Sequence, residues 1–214
     1  MAGKKLLLVE GTDDEHVFEH LCYERQVGIF DDDIMGQGND AKLLENLPIE
    51  LLRSGIEVLG VVLDADTDVM GRWDALKQRF TQAGYIGVPA QPVSEGTIID
   101  PPPNSLLPRV GVWIMPDNRS AGKLEDFLRL LVPAGSRLFN HVESSVKGIP
   151  EEERRFSKPD EIKAILHTWL AWQKEPGRPF GTAIRAKYLD SNSSHADALV
   201  AWLKRRFFPQ VPPS

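Results

Sequence analysis

Apolar positions in this chain fall into short continuous runs that alternate with stretches of helical periodicity. After its lysine, Lys5 to Val9 is uninterrupted Leu and Val, the pattern of a strand covered on both faces, as in parallel sheets. Gly11 predicts a turn, Thr12 and Glu15 have the spacing of a capping box, and Val17, Phe18, Leu21 and Cys22 mark one face of the helix that follows. A second strand is predicted near Ile34 and Met35. The helix after it is capped by Asn39 or Asp40, turns Leu43, Leu44, Leu47, Leu51 and Leu52 inward, and carries Pro48 as a kink. Ile56 to Leu63 is the strongest strand. It runs into Asp64-Ala65-Asp66-Thr67-Asp68 and then a helix with Trp73, Leu76, Phe80 and Ala83 on one face.

Prolines at 89, 92, 101, 102, 103 and 108 interrupt the rhythm and leave room for one short strand, Thr97 to Ile99. Val110 to Met115 is a further strand, ending at Pro116-Asp117-Asn118, with a helix beginning near Leu124. The remainder reads as helices at roughly 136–146, 159–173 and 194–208, the last capped within Asn192 to Ser194. This alternation predicts an α/β fold with a mainly parallel central sheet flanked by helices, over residues 1–130, and a helical C-terminal extension over 131–214 packed on that core. In such sheets ligands gather at the carboxyl ends of the strands.

Charge changes the picture more than composition does. The net charge is −6, but residues 1–68 hold 16 acidic and 5 basic side chains, a balance of −11, whereas residues 69–214 hold 15 and 20, a balance of +5. A binder of nucleic acid by charge alone would be basic throughout. An anionic partner of this chain therefore requires cations on its carboxylates. The single cysteine, Cys22, excludes an internal disulfide and a cysteine-based zinc cluster, and its place on an apolar helical face predicts a packed thiol. His16, His20, His141, His167 and His195 have no metal-ligand spacing. No apolar run is long enough to cross a bilayer and the start is too short for a signal peptide, so a cytoplasmic location is expected.

Predicted strand ends carry acid: Glu10 at the first, Asp64 and Asp66 at the third, Asp117 at the strand ending in Met115. In an extended segment residues two apart point the same way, so Asp64 and Asp66 are expected to face one point and to suit a hard cation, Mg²⁺ or Mn²⁺. Asp68 reads as the cap of the next helix, as do Asp13 and Glu15 of theirs. An EF-hand loop would need Gly and Glu where Val69 and Ala75 stand, and a Walker A loop would need Gly at Asp117. An Asp-x-Asp pair after a strand also opens the haloacid-dehalogenase phosphatase pattern, but Asp68 occupies the position of its threonine.

Val9-Glu10-Gly11-x-x-Asp14 and Asp64-x-Asp66, about fifty residues apart at strand ends, together resemble the Toprim family of topoisomerases, bacterial primases and OLD-type nucleases, over about residues 4–130. Trp113 to Asn118, Gly122 to Phe127 and Pro179 to Ile184 look like a bacterial Toprim-like family still labelled as a domain of unknown function. The resemblance implies that Glu10 is a general acid/base or metal ligand and that Asp64 and Asp66 hold Mg²⁺. It also implies that Asp14 serves a second metal, with Glu125 as a further candidate ligand. The implied activity is metal-dependent hydrolysis of phosphodiesters in nucleic acid, by a stand-alone nuclease or beside a separate ATPase partner. A non-catalytic metal-binding or interaction module and a phosphatase are the alternatives.

Lys123 and Lys187 are candidate substrate-binding residues. Arg178, Arg185 and the stretch Trp202 to Phe208 offer cations with interleaved aromatics, although Leu199, Trp202, Leu203 and Phe207 have the spacing of a core-facing helical stripe.

Overall fold

The computed structural model describes residues 4–29 and 31–207. Five strands form one sheet in the order β2-β1-β3-β5-β4, with β1 Lys4–Val9, β2 Ile34–Gly36, β3 Ile56–Asp64, β4 Thr97–Ile99 and β5 Arg109–Met115. All pairings are parallel except that of the edge strand β4, which runs antiparallel to β5. The mainly parallel α/β sheet expected from the apolar runs is therefore present. Its three interior strands, β1, β3 and β5, are the ones that read as runs of apolar residues, because strands covered on both faces have no solvent side to mark with polar residues.

Alternate residues of each strand feed opposite faces. Leu7 and Val9 of β1, Val58 and Val62 of β3 and Trp113 and Met115 of β5 join one core cluster; Leu6 and Leu8, Leu59, Val61 and Leu63, and Val110, Val112 and Ile114 join the other. The second face is covered by α2 Asp40–Leu51 and α3 Val69–Gln82, through Leu43, Leu47, Trp73, Leu76 and Phe80. The first is covered by α1 Thr12–Glu24, α4 Leu124–Leu130, α5 Arg137–Lys147, α6 Glu161–Ala171, α7 Phe180–Arg185 and α8 Ser194–Ala201. Trp169, Phe180, Leu199, Trp202 and Leu203 lie in the same cluster as β1 and β5, so the C-terminal helices complete the layer that α1 begins. Trp202 packs on Trp113 with ring centroids 5.8 Å apart.

Several local expectations are met. Asn39 caps α2 by accepting from Lys42 N at 2.8 Å, Asp68 caps α3 by accepting from Gly71 N at 2.8 Å, and Cys22 is buried, which pushes its thiol up to about 12. Others are corrected. Leu52 lies just beyond α2 and is 71 % exposed rather than inward. The chain leaves α8 in a π turn over Trp202–Phe207, and Phe208 lies outside the described residues, as do the side chains of Arg205, Arg206 and Phe207. The short helix α7 is not foreseen, since six residues beginning at Phe180 give too little periodicity. It packs closely on α1: a Cβ added at Gly181 would stand 2.5 Å from the His16 carbonyl oxygen.

Candidate functional site

Because β1 and β3 are hydrogen-bonded neighbours in parallel register, Glu10 and Asp64 emerge beside one another at the carboxyl edge of the sheet. Glu10 Oε1 accepts from Asp64 N at 2.6 Å, a contact that ties the two strand ends together across fifty-four positions of sequence. Asp64 Oδ1 in turn accepts from Leu124 N at 2.9 Å, in the first turn of α4. Asp14 enters from α1. The helix begins one residue earlier than the Thr12-Glu15 spacing predicts, with Gly11 at the cap position, and Asp14 Oδ2 accepts from Gly11 N at 3.2 Å. Helix starts leave N–H groups without partners inside the helix, and these carboxylates satisfy some of them.

The three acids line one cavity of about 410 Å³, whose walls also include Asn39, Lys123, Glu125, Asp160 and Lys163. Gly36 allows the end of β2 to close one side: a Cβ there would meet Glu15 Oε2 at 2.8 Å and the Gly11 carbonyl oxygen at 3.2 Å.

Charge divides the carboxylates into two groups. Among the described residues no lysine, arginine or histidine forms an ion pair with Glu10, Asp14 or Asp64, and the charged forms are disfavoured accordingly. Burial pushes Asp64 up to about 8, helped by the negative charges of Glu10, Asp14 and Glu125. Glu10 is pushed up to about 7, again chiefly by burial, with Asp14 adding to it against the hydrogen bond from Asp64 N. Asp14 is raised to about 6, by burial first and then by Glu125 and Asp13.

The other acids have partners. Asp66 pairs with Arg72 at 2.5 Å and with Lys123 at 3.2 Å; burial acts upward, but the two cations outweigh it and hold the carboxyl below its ordinary value. Arg72 also binds Asp40 at 2.6 Å, linking α2 to α3. Buried Glu125 is met by Lys163 at 3.0 Å, and the same ammonium reaches Asp13 at 3.6 Å.

The expected side-by-side presentation of Asp64 and Asp66 does not occur. Asp66 has φ of 51°, a left-handed conformation that breaks the alternation of an extended segment, and its backbone pairs with Gly122 through hydrogen bonds of 2.9 and 2.8 Å. Its side chain thereby turns toward α3 and Lys123 instead of the cavity. Asp117 folds back on its own loop, accepting from Arg119 N at 3.0 Å and Ser120 N at 2.7 Å. Lys187 lies away from this cavity and pairs with Glu24. Sequence reasoning missed Lys163 and Arg72, the cations that decide which acids are neutralised. Neither has a local signal, because a lone lysine or arginine on an exposed helix face is ordinary.

The donor chemistry of Glu10, Asp14 and Asp64 fits a hard divalent cation: all are oxygen ligands, partly desolvated and, among the described residues, without an ion pair. Among the described residues, however, no three carboxylate, imidazole or thiol groups already surround a single coordination point, so closure on an ion requires side-chain rotation.

Fold and site together define an α/β protein whose adjacent strand tips concentrate un-neutralised carboxylates in one cavity. The chain belongs to the family described as a protein of unknown function (DUF3226), whose model matches residues 4–208. No curated protein and no solved structure matches it. Among the described residues no helix is long and apolar enough to cross a membrane.

Proposed function

We propose that the protein is a Mg²⁺- or Mn²⁺-dependent phosphodiester hydrolase of Toprim-like organisation that acts on nucleic acid. The observation that carries this reading is the convergence of Glu10 and Asp64 at hydrogen-bonded strand tips, joined by Asp14 from α1, with no ion pair to any of the three among the described residues. Unlike a structural ion pair, such a cluster destabilises the ligand-free protein, which points to a cation as its missing partner.

Glu10, Asp14 and Asp64 would hold the ion; Asp66, engaged by Arg72 and Lys123, serves by orienting Lys123 at the rim. When bound, the ion supplies positive charge for the non-bridging oxygens of a phosphodiester and for its leaving oxygen. Lys123 and Lys163 line the same cavity and add charge to a phosphate there. The Glu10 oxygen left free of the ion would be placed to take the proton from an attacking water. Glu125 keeps Lys163 in place through its 3.0 Å ion pair.

The test is cleavage of labelled single-stranded DNA, duplex DNA and RNA with Mg²⁺ or Mn²⁺, by the parent chain and by Asp64→Asn. Metal-dependent cleavage lost in the variant supports the reading; no cleavage of any substrate with either metal refutes it. A non-catalytic metal-binding module is the second reading, favoured by the engagement of Asp66 with Arg72 and Lys123. It predicts metal binding without turnover.

A further inference from the structure

A second cavity, of about 580 Å³, lies between the end of α1, α7 and the segment that precedes α7. His20, Lys174, Arg178, Thr182, Arg185 and Tyr188 line it. It contains three permanently charged cations against one carboxylate, Glu175, which Arg178 binds. Among the described residues Lys174 and Arg185 have no carboxylate partner; the Arg185 guanidinium lies over the ring of Tyr23 instead, 5.1 Å from its centroid, and Tyr23 is 67 % exposed. The segment is held to the turn after α7 by the Tyr188 hydroxyl, which accepts from Glu175 N at 3.1 Å. In a chain of net charge −6, two neighbouring cations without a carboxylate partner among the described residues call for an anion.

We propose that this basic cavity is a strand-binding subsite for the phosphate backbone of a single-stranded nucleic acid that also reaches the carboxylate cavity. The assignment rests on the nuclease reading given above and supplies what that reading lacks. A cavity lined by un-neutralised carboxylates repels a polyanion, so the strand needs a positive anchor elsewhere on the surface. The spacing fits. Asp13 lines the acidic cavity and His20 the basic one, and seven residues of α1 separate them, which places them on one helix face about 10 Å apart. Adjoining phosphates of one extended strand can reach across that distance and occupy both cavities. Lys174 and Arg185 contact phosphate oxygens, Arg178 closes the cavity wall, and Tyr23 offers a stacking surface for a base beside Arg185.

The test uses the full chain and a fluorescent twelve-residue oligothymidylate in EDTA, with anisotropy titrations at several salt concentrations. The variant is Lys174→Ala combined with Arg185→Ala, both exposed side chains whose removal leaves the core untouched. With each phosphate contact worth a salt slope of about 0.7, loss of two contacts weakens binding roughly 25-fold at 0.1 M salt and lowers the slope by about 1.4. The same affinity and slope in parent and variant, or no binding by the parent, overturns the subsite. So does displacement by polyglutamate as effective as that by unlabelled oligonucleotide, which would assign the cavity to acidic peptides. Mn²⁺-dependent cleavage measured in parallel separates this proposal from the one it rests on. Cleavage by a chain that fails the binding test sinks the subsite alone, and binding lost in the variant without cleavage by the parent sinks the nuclease alone.

Discussion

Replacing Asp64 by asparagine removes a negative charge while keeping an oxygen that accepts from Leu124 N, the bond now seen at 2.9 Å. The carboxyl is raised from 3.8 to about 8, chiefly by burial and then by Glu10, Asp14 and Glu125. A carboxyl with a raised folded value holds its proton more tightly in the native state, so the stability it contributes is complete below its unfolded value and is lost as pH rises through about 8. Four units at about 1.4 kcal/mol each set a ceiling of roughly 6 kcal/mol on that loss. Relaxation and water entry on ionisation bring the expected figure nearer 2–3 kcal/mol. For a chain of this length each kcal/mol moves Tm by about 2–4 °C, so Asp64→Asn should raise the metal-free Tm at pH 8.5 by roughly 5–10 °C. At pH 4, where both chains are neutral at this position, Tm should differ little. Calorimetric scans in EDTA at both pH values measure this directly. A variant less stable than the parent at pH 8.5 would refute the reasoning, because it would mean that the ionised carboxylate is satisfied by its surroundings.

The same electrostatics predict that metal affinity rises with pH: Asp14, Glu10 and Asp64, raised to about 6, 7 and 8, must all lose protons, so calorimetric binding of Mn²⁺ should strengthen steeply between pH 6 and 8.5 and release protons to the buffer. A pH-independent affinity would place the ion elsewhere. Arg72→Ala removes the bridge between Asp40 and Asp66 and should destabilise the fold by about 1 kcal/mol in urea titrations, an effect reduced in high salt because the pair is partly exposed; no change would show that the bridge contributes nothing. Gly181→Ala forces a Cβ against the His16 carbonyl oxygen and should destabilise by about 2–3 kcal/mol, while Gly87→Ala, where a Cβ would meet nothing within 4 Å, should cost about 1 kcal/mol from its φ of 70° alone. Equal effects would argue against close packing of α7 on α1.

Much of the fold is legible in the sequence because burial on both faces of a parallel sheet writes itself as unbroken apolar runs. Lys5 to Val9, Ile56 to Leu63 and Val110 to Met115 are all core strands. Cap residues such as Asn39, Asp68 and Ser193 were readable for the same local reason. Leu52 was misplaced because the helix ends before it, and helix ends depend on what the chain packs against next. At the site, the acids at strand tips and Asp14 could be found from sequence because they sit at fixed offsets from apolar runs. Their division into neutralised and un-neutralised sets could not. It depends on a left-handed backbone at Asp66 and on Lys163, Lys123 and Arg72 reaching in from other elements, contacts that only the tertiary fold brings about.

Diffraction from crystals soaked in Mn²⁺ at pH 8.5, recorded at a wavelength where manganese scatters anomalously, tests the central claim most directly. The account predicts an anomalous peak in the cavity at the tips of β1 and β3, with Glu10, Asp14 and Asp64 oxygens turned onto it and Asp66 still paired with Arg72. An empty cavity under those conditions, or manganese bound only elsewhere on the surface, would contradict it.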